Sequence, residues 1–168
     1  MLAADAGAAA EPSTGSDIAA SVSSQTVSVE AAADSLQTSR HLVLVDPEIA
    51  EDACFAESLA TSDAEIILLD SERDAIDQIT EILSTRRGLE SLHLMSHGSS
   101  GQLRLSGQVV DSEVIANREG EIRRWSDAFA DRADLLIYGC ELAATAEGES
   151  FLARLREMTN LDIAASTD

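Results

Sequence analysis

Short, almost entirely apolar runs alternate along the chain with longer segments whose apolar residues recur at helical spacing. Runs of the first kind are typical of strands that are buried on both faces of a parallel sheet. Apolar residues three or four positions apart are typical of the amphipathic helices that cover such a sheet. The predicted strands are residues 41–46, 65–70, 92–96, 135–138 and 162–165. The predicted helices are residues 47–60, 72–87, 112–132 and 147–158.

Strands that alternate with helices predict a parallel sheet joined by right-handed crossovers. We therefore predict an α/β fold, a three-layer α/β sandwich with a mostly parallel sheet in the strand order of flavodoxin-like folds. One smaller element interrupts the alternation, because two short apolar runs within residues 102–110 meet at Ser106-Gly107, a pattern that predicts a hairpin. Ser71 is the predicted N-cap of the second helix, with Asp74 completing a pattern like a capping box.

The chain divides at about residue 40 into a leader and a folded domain. Residues 1–39 are rich in Ala, Ser, Thr, Asp and Glu and contain no aromatic residue. Such a segment cannot bury enough apolar surface to offset the entropy lost on ordering, so we expect a disordered leader. Residues 40–168 form the predicted α/β domain. Because no closing helix follows the fifth strand, we expect the natural protein to continue past Asp168.

The net charge of the chain restricts the kinds of molecule that it is expected to bind. The 168 residues carry a formal net charge of -20, and all 11 basic residues are arginine. Because such a surface repels phosphate, we expect neither nucleic acid nor an anionic membrane as a partner. No run approaches the roughly 20 apolar residues that a membrane-spanning helix needs. An acidic surface would suit calcium, but no EF-hand loop or glycine-rich repeat is present, and we expect no cofactor.

Two successive long apolar runs of the predicted sheet each end in a glycine beside a reactive side chain. The third predicted strand leads to His97-Gly98, and the fourth leads to Gly139-Cys140. Because the carboxyl ends of parallel strands meet at one edge of a sheet, we expect His97 and Cys140 to lie close together. Thiol catalysis needs a thiolate, an imidazole that takes its proton and amides that bind the oxyanion. The sequence therefore predicts Cys140 as nucleophile, His97 as general base, and the amides of Gly98 and Cys140 as oxyanion donors.

The motifs Ser-His-Gly at 96–98 and Tyr-Gly-Cys at 138–140 resemble the His-Gly and Cys elements of the caspase-like cysteine peptidases. This group includes caspases, gingipains, clostripain, separase and the CHAT domains. The resemblance implies a peptidase that cleaves a peptide or its own parent chain. In this group the first strand often ends in a residue that lines the substrate pocket, and Asp46 occupies that place here. An acid there would favour Arg or Lys in the substrate, whereas the alternative is a strand-end carboxylate that caps the following turn.

Residues 41–168 also resemble a bacterial domain found near the amino ends of giant, repeat-rich proteins that are secreted or surface-bound. The resemblance rests on the order Leu-Val-Asp, Ile-Ile-Leu-Leu-Asp, Ser-His-Gly-Ser-Ser-Gly, Tyr-Gly-Cys and Ala-Ala-Ser-Thr-Asp. It implies a secreted or cell-surface location in an adhesin-like parent protein.

Two other functions remain open at this point. One is a catalytically silent module that serves as a scaffold or interaction domain, and the other is a flavodoxin-type domain that binds a small molecule. His41 and His93 are predicted to be structural, and Cys54 is predicted to be a core residue rather than a disulfide partner of Cys140. No second Cys or His stands at ligand spacing from Cys140 or His97, so no metal site is expected.

Overall fold

A computed structural model describes residues 39–50 and 63–167 of the chain. The predicted leader, apart from Ser39, and most of the predicted helix 47–60 with Cys54 lie outside the described residues. Ser39 already belongs to the domain, because its hydroxyl donates to the carbonyl oxygens of His41 at 2.8 Å and Asp63 at 2.9 Å. The same hydroxyl accepts the amide of Glu65 at 3.1 Å and so holds two strands together at their start.

The described residues form eight strands and five α-helices. In chain order they are β1 (His41–Val45), α1 (Pro47–Ala50), β2 (Glu65–Leu68), α2 (Ala75–Ser84), β3 (Leu89–Met95), β4 (His97–Ser99), β5 (Gln102–Leu105), β6 (Gln108–Val110), α3 (Ser112–Asn117), α4 (Glu119–Ile122), β7 (Phe129–Tyr138), α5 (Ala146–Thr159) and β8 (Asp162–Ala165). A 3₁₀-helix, Arg123–Ala128, joins α4 to β7.

Five strands form a central sheet in the order β2-β1-β3-β7-β8, and every neighbouring pair is parallel. Counted within this sheet alone, the order is 2-1-3-4-5, which is the order of flavodoxin-like folds. The predicted α/β fold, its mostly parallel sheet and its strand order are therefore confirmed. The third layer of the predicted sandwich involves the helix at 47–60, of which the structure describes only α1.

One face of the sheet carries the main core. Leucine and isoleucine side chains from four strands are buried there in one cluster with Ile79 of α2 and Phe151 and Leu155 of α5. Burying each such side chain contributes about 1.5–3 kcal/mol. The strand residues in this cluster are Leu42, Leu44, Leu92, Leu94, Leu135, Ile137 and Ile163.

The predicted helical region over 112–132 is present as three short helices as far as Ala128, and it is wrong for residues 129–132. Helices α3 and α4 end at Asn117 and Ile122, and β7 begins at Phe129, six residues before the predicted start of that strand. The reason is that β7 pairs with β3 along its whole length, from Leu89 opposite Phe129 onward, with a register shift that leaves residues 131–132 exposed. Sheet pairing there replaces the helical pattern that the isolated sequence suggests.

The predicted cap of α2 is also wrong. The helix begins at Ala75, and its N-cap is Asp74, whose carboxylate accepts the amide of Asp77 at 2.9 Å. Ser71 therefore lies before the helix and not at its cap. Ala75, Ile76, Ile79 and Leu83 form the buried apolar face of this helix.

The predicted hairpin at 102–110 is confirmed, and it belongs to a second sheet. Strands β4, β5 and β6 form an antiparallel sheet in that order. The inward side chains Leu103, Leu105 and Val110 join the main core. Ser106 and Gly107 link β5 to β6 with φ values of 52° and 70°, which is the two-residue turn with both positions left-handed that suits a tight hairpin.

The second face of the central sheet carries a chain of polar contacts across three strands. The Oγ of Ser91 lies 2.8 Å from Nδ1 of His41 and 3.1 Å from Nε2 of His93. The Nδ1 of His93 lies 3.1 Å from the hydroxyl of Tyr138, and the two rings stack at 5.8 Å. Burial lowers the pKa of His93, and the nearby His41 lowers it further, while Asp134 opposes both effects. Each of these contacts is consistent with the structural role predicted for His41 and His93.

The lowered pKa of His93 predicts a loss of stability on acidification. The unfolded chain takes up this proton at an ordinary pKa of about 6.5, whereas the folded protein takes it up only at lower pH. The contribution of His93 is therefore fully present above about pH 6.5 and decreases as the pH falls toward the folded pKa. Urea unfolding at pH 8 and pH 5 should show a smaller pH dependence in His93→Gln than in the wild type. An equal pH dependence in the two proteins would contradict this assignment.

Candidate active site

The site is built where β3 and β7 end side by side. Met95 pairs with Tyr138 as the last pair of the ladder, and the amide of Ser96 then donates to the carbonyl oxygen of Tyr138 at 3.0 Å. The next residues along the two strands are His97 and Gly139. The fold therefore delivers the predicted base and the predicted nucleophile to the same edge of the sheet, as the sequence predicts.

Gly98 and Gly139 let the two backbones touch beyond the ladder. A Cβ on Gly98 would lie 3.0 Å from the Cα and carbonyl carbon of Gly139 and 3.0 Å from the carbonyl oxygen of Cys140. A Cβ on Gly139 would lie 3.2 Å from the Cα of Gly98. Glycine suits both positions because a side chain at either would press against the opposing backbone, which would have to move to make room. The predicted oxyanion donors, the amides of Gly98 and Cys140, belong to these touching segments.

Both reactive side chains are accessible to solvent. His97 is exposed, and Cys140 is exposed and carries a free thiol. Within the described residues, neither side chain makes a hydrogen bond, so the backbones of the two segments are in contact while the imidazole and the thiol are not a hydrogen-bonded pair. Catalytic hydrogen bonds are often long in unliganded enzymes and shorten when substrate binds.

The loop after Cys140 is held in place on both sides. The amide of Gly101 donates to the carbonyl oxygen of Leu142 at 3.4 Å, and the amide of Ala143 donates to that of Ser166 at 3.1 Å. A Cβ on Gly148 would overlap the Leu142 carbonyl oxygen, so the first turn of α5 packs tightly on this loop. The position of Cys140 is therefore fixed from both ends of its segment.

Asp46 is not placed to bind a substrate in this structure. Its side chain is 0% exposed, and its Oδ1 accepts the amide of Glu48 at 2.9 Å while its Oδ2 accepts the amide of Ser106 at 2.6 Å. Both oxygens are therefore used by backbone donors, and the carboxylate has the turn-capping role that was the alternative to a specificity pocket. The contact with Ser106 also fixes the β5–β6 turn against the end of β1.

Gln78 supports the same turn from another direction. Its buried side-chain amide accepts the amide of Asp70 at 2.7 Å and donates to the Asp70 carbonyl at 2.9 Å. The same amide nitrogen lies 3.3 Å from the hydroxyl of Ser106. The hairpin is thus attached by buried polar contacts to both β1 and the β2–α2 connection.

Two residues at the site escaped the sequence reasoning. Arg104 stands opposite His97 in the β4–β5 ladder and lines a cleft of about 260 Å³ with it. Ser96 is 4% exposed, and its hydroxyl has no hydrogen-bond partner in the described part of the chain. The alternation of Gln102-Leu-Arg-Leu105 indicates that Arg104 faces outward, but only the strand register reveals what it faces.

The part of the chain that the structure describes contains neither a membrane-spanning helix nor a metal-binding cluster. No helix there is long and apolar enough to cross a membrane. No group of three or more His, Cys, Asp or Glu side chains there is arranged to hold a metal ion.

Replacing Gly98 should disturb the contact between the two strand ends. Gly98→Ala is expected to lower the free energy of unfolding by about 1–3 kcal/mol, because only backbone movement can relieve the overlap. Gly120→Ala is the matched control, since a Cβ there meets nothing within 4 Å. Urea unfolding of both variants tests this expectation, and equal effects would show that the contact is loose.

Replacing Asp46 should destabilise the domain. Asp46→Ala leaves the buried amide of Ser106 and the partly buried amide of Glu48 without their acceptor, which is expected to cost about 1–3 kcal/mol of unfolding free energy. Glu72→Ala, which removes an exposed carboxylate, is the control and should change stability little. A fully stable Asp46→Ala variant with altered peptide preference would restore the substrate-binding role.

Comparison with known proteins gives one match. A family described as Domain of unknown function (DUF4347) matches residues 42–168, which is nearly the whole of the predicted domain. Neither a curated protein nor a solved structure matches the chain. The match spans the strands, the hairpin and both reactive residues of the site described above. The chain belongs to the DUF4347 family.

Proposed function

We propose that this domain is a cysteine peptidase of the caspase-like type, with Cys140 as nucleophile and His97 as general base. The observation that carries the proposal is the backbone contact between Gly98 and Gly139, which brings together the two segments that carry the exposed side chains of His97 and Cys140. Their position at the carboxyl edge of a parallel sheet, where ligands bind in open α/β folds, supports it further. The resemblance of both motifs to the caspase-like peptidases points to the same chemistry.

The residues can supply each step of peptide hydrolysis. His97 takes the thiol proton of Cys140, and the sulfur adds to the carbonyl carbon of the peptide bond. The oxyanion that forms faces the amides of Gly98 and Cys140. His97 then gives the proton to the leaving amine, which departs and leaves a thioester. Water, activated by His97, attacks the thioester, releases the acid and restores the thiol.

We propose further that the substrate is a peptide segment, in the first place one of the parent chain, and that the parent protein is secreted or displayed at a bacterial cell surface. A surface with a net charge of -20 and no lysine suits an extracellular protein. The resemblance to domains of giant, repeat-rich surface proteins supports the same location. No cofactor takes part in the proposed reaction, since thiol and imidazole supply both the nucleophile and the proton transfer.

The second candidate function is a catalytically silent scaffold or interaction module. The observation that favours it is the lack of a hydrogen bond between His97 and Cys140 within the described residues. A structural thiol at Cys140 would react slowly with an alkylating reagent, and its rate would not depend on the imidazole of His97. An activated thiolate would react fast.

Hydrolysis and alkylation together test the peptidase function. A blocked peptide library is incubated with the wild type, Cys140→Ala and His97→Gln, with and without calcium, and products are identified by mass spectrometry. Cys140→Ala should abolish cleavage, and His97→Gln should slow it by about 10²–10⁴-fold. His41→Gln is the matched control, because His41 lies at the other end of the sheet.

The rate of iodoacetamide reaction at Cys140 distinguishes the two functions. If His97 activates the thiol, His97→Gln should slow alkylation near neutral pH while His41→Gln leaves it unchanged. Cleavage that persists in Cys140→Ala would place the nucleophile elsewhere. Absence of cleavage in the wild type, together with equal alkylation rates in all variants, would favour the silent module.

A further inference from the structure

The outward face of the small sheet forms a cleft beside His97. The ladder pairs His97 with Arg104 and Ser99 with Gln102 across β4 and β5, and it pairs Arg104 with Val109 across β5 and β6. Residues directly opposite each other in an antiparallel pair have their Cα atoms about 4.5–5.5 Å apart and project to the same face. All five side chains are exposed and line one cleft of about 260 Å³.

This cleft differs in charge from the rest of the molecule. No carboxylate is among the residues that line it, although the chain as a whole has 31 acidic residues. Two other surface depressions do contain carboxylates. One is lined by Glu119 and Glu157 together with Arg123 and Arg154, and the other is lined by Asp111, Glu113 and Glu147. A cleft without carboxylates on so acidic a chain offers an anion a place where local repulsion is smallest.

The guanidinium of Arg104 lines this cleft and has no hydrogen-bond or salt-bridge partner in the described part of the chain. Six other arginines are bound to carboxylates there, in the pairs Arg40–Glu90, Arg73–Glu81, Arg86–Glu65, Arg118 with Asp74, Asp77 and Glu121, Arg123–Glu119 and Arg156–Asp162. A guanidinium presents a planar set of donors that matches a carboxylate with two parallel hydrogen bonds. The amide of Gln102 and the hydroxyl of Ser99 add uncharged donors on the same face.

We infer that this cleft binds a peptide carboxylate, in the first place an acidic side chain next to the bond that Cys140 attacks, and that Arg104 determines this preference. That the bound peptide is a substrate rests on the proposed peptidase function. Binding of a carboxylate in this cleft does not itself require catalysis. The inference reverses the preference for basic residues expected from Asp46, because Asp46 is buried and bound to backbone amides, while Arg104 is exposed and has no partner among residues 39–50 and 63–167.

The charge of the peptide that binds more tightly distinguishes a specific site from nonspecific electrostatic attraction. A chain with a net charge of -20 attracts cationic peptides and repels anionic ones wherever binding is nonspecific. Tighter binding of an acidic peptide than of a basic one therefore requires a specific cation close to the bound peptide.

Binding is measured with Cys140→Ala so that no peptide is consumed. The probes are Ac-Ala-Ala-Xaa-Ala-Ala-NH₂ with Asp, Asn or Arg at Xaa, and acetyl-penta-alanine with a free carboxyl end, each titrated at 150 mM salt and followed by NMR. The Asp peptide is expected to bind at least about tenfold more tightly than the Asn peptide, because it gains charge-assisted hydrogen bonds. Binding of the free-acid peptide alone would assign the site to a chain terminus and overturn the side-chain assignment.

Variants in the same Cys140→Ala background identify the cation. Arg104→Gln should remove the preference for Asp, and Arg104→Lys should keep part of it, because the charge remains without the planar donors. Arg87→Gln is the control, since Arg87 bonds only to carbonyl oxygens near the opposite edge of the sheet. Equal affinities for Asp and Asn, tighter binding of the Arg peptide, or a preference that survives Arg104→Gln would each overturn the inference.

The two proposals fail in different ways. If the otherwise unmodified protein cleaves nothing while the Asp preference depends on Arg104, the peptidase function fails and the carboxylate site stands. If the protein cleaves peptides equally well with Asp and Asn near the cut, and Arg104→Gln changes neither rate, the peptidase function stands and the role of Arg104 is wrong.

Discussion

The contact between Gly98 and Gly139 is the constraint on which the site depends. Parallel pairing alone aligns β3 and β7 only as far as Met95 and Tyr138. Beyond that point a side chain on either glycine would force the two segments apart by a few tenths of an ångström, since an added Cβ would lie 3.0–3.2 Å from the opposing backbone. Because the segments stay in contact, the segment that carries His97 and the segment that carries Cys140 meet, although these two residues are 43 positions apart in sequence.

A second constraint fixes the small sheet that completes the site. The buried carboxylate of Asp46 binds the amide of Ser106, and Gln78 reaches the same residue's hydroxyl. A buried charge is tolerated only when its oxygens are well satisfied, and here both accept backbone amides. The carboxylate that the family resemblance marks as a specificity residue therefore serves the structure, and it holds in place the hairpin that presents Arg104.

The elements predicted correctly from the sequence are those with a repeated local signal. The five parallel strands were evident as apolar runs, and the edge at which His97 and Cys140 meet follows from their shared direction. The start of β7 was missed because residues 129–134 pair across a register shift, which no local pattern reveals. The sequence left two roles open for Asp46 and did not single out Arg104, because the first depends on a contact 60 positions away and the second on a ladder partner.

The acidic surface repels an acidic peptide, whereas the guanidinium of Arg104 in the cleft attracts one. Long-range repulsion lowers the local concentration of any free acidic peptide, and it is screened only beyond about 8 Å at physiological salt. A segment tethered to the same chain avoids this penalty, because its effective concentration is set by the linker and reaches the millimolar range. The first 39 residues carry five acidic residues and no arginine, so suitable carboxylates are present within the chain itself. For the proposed carboxylate site at Arg104, the charge of the molecule therefore favours a substrate in the parent protein over one that must diffuse to it.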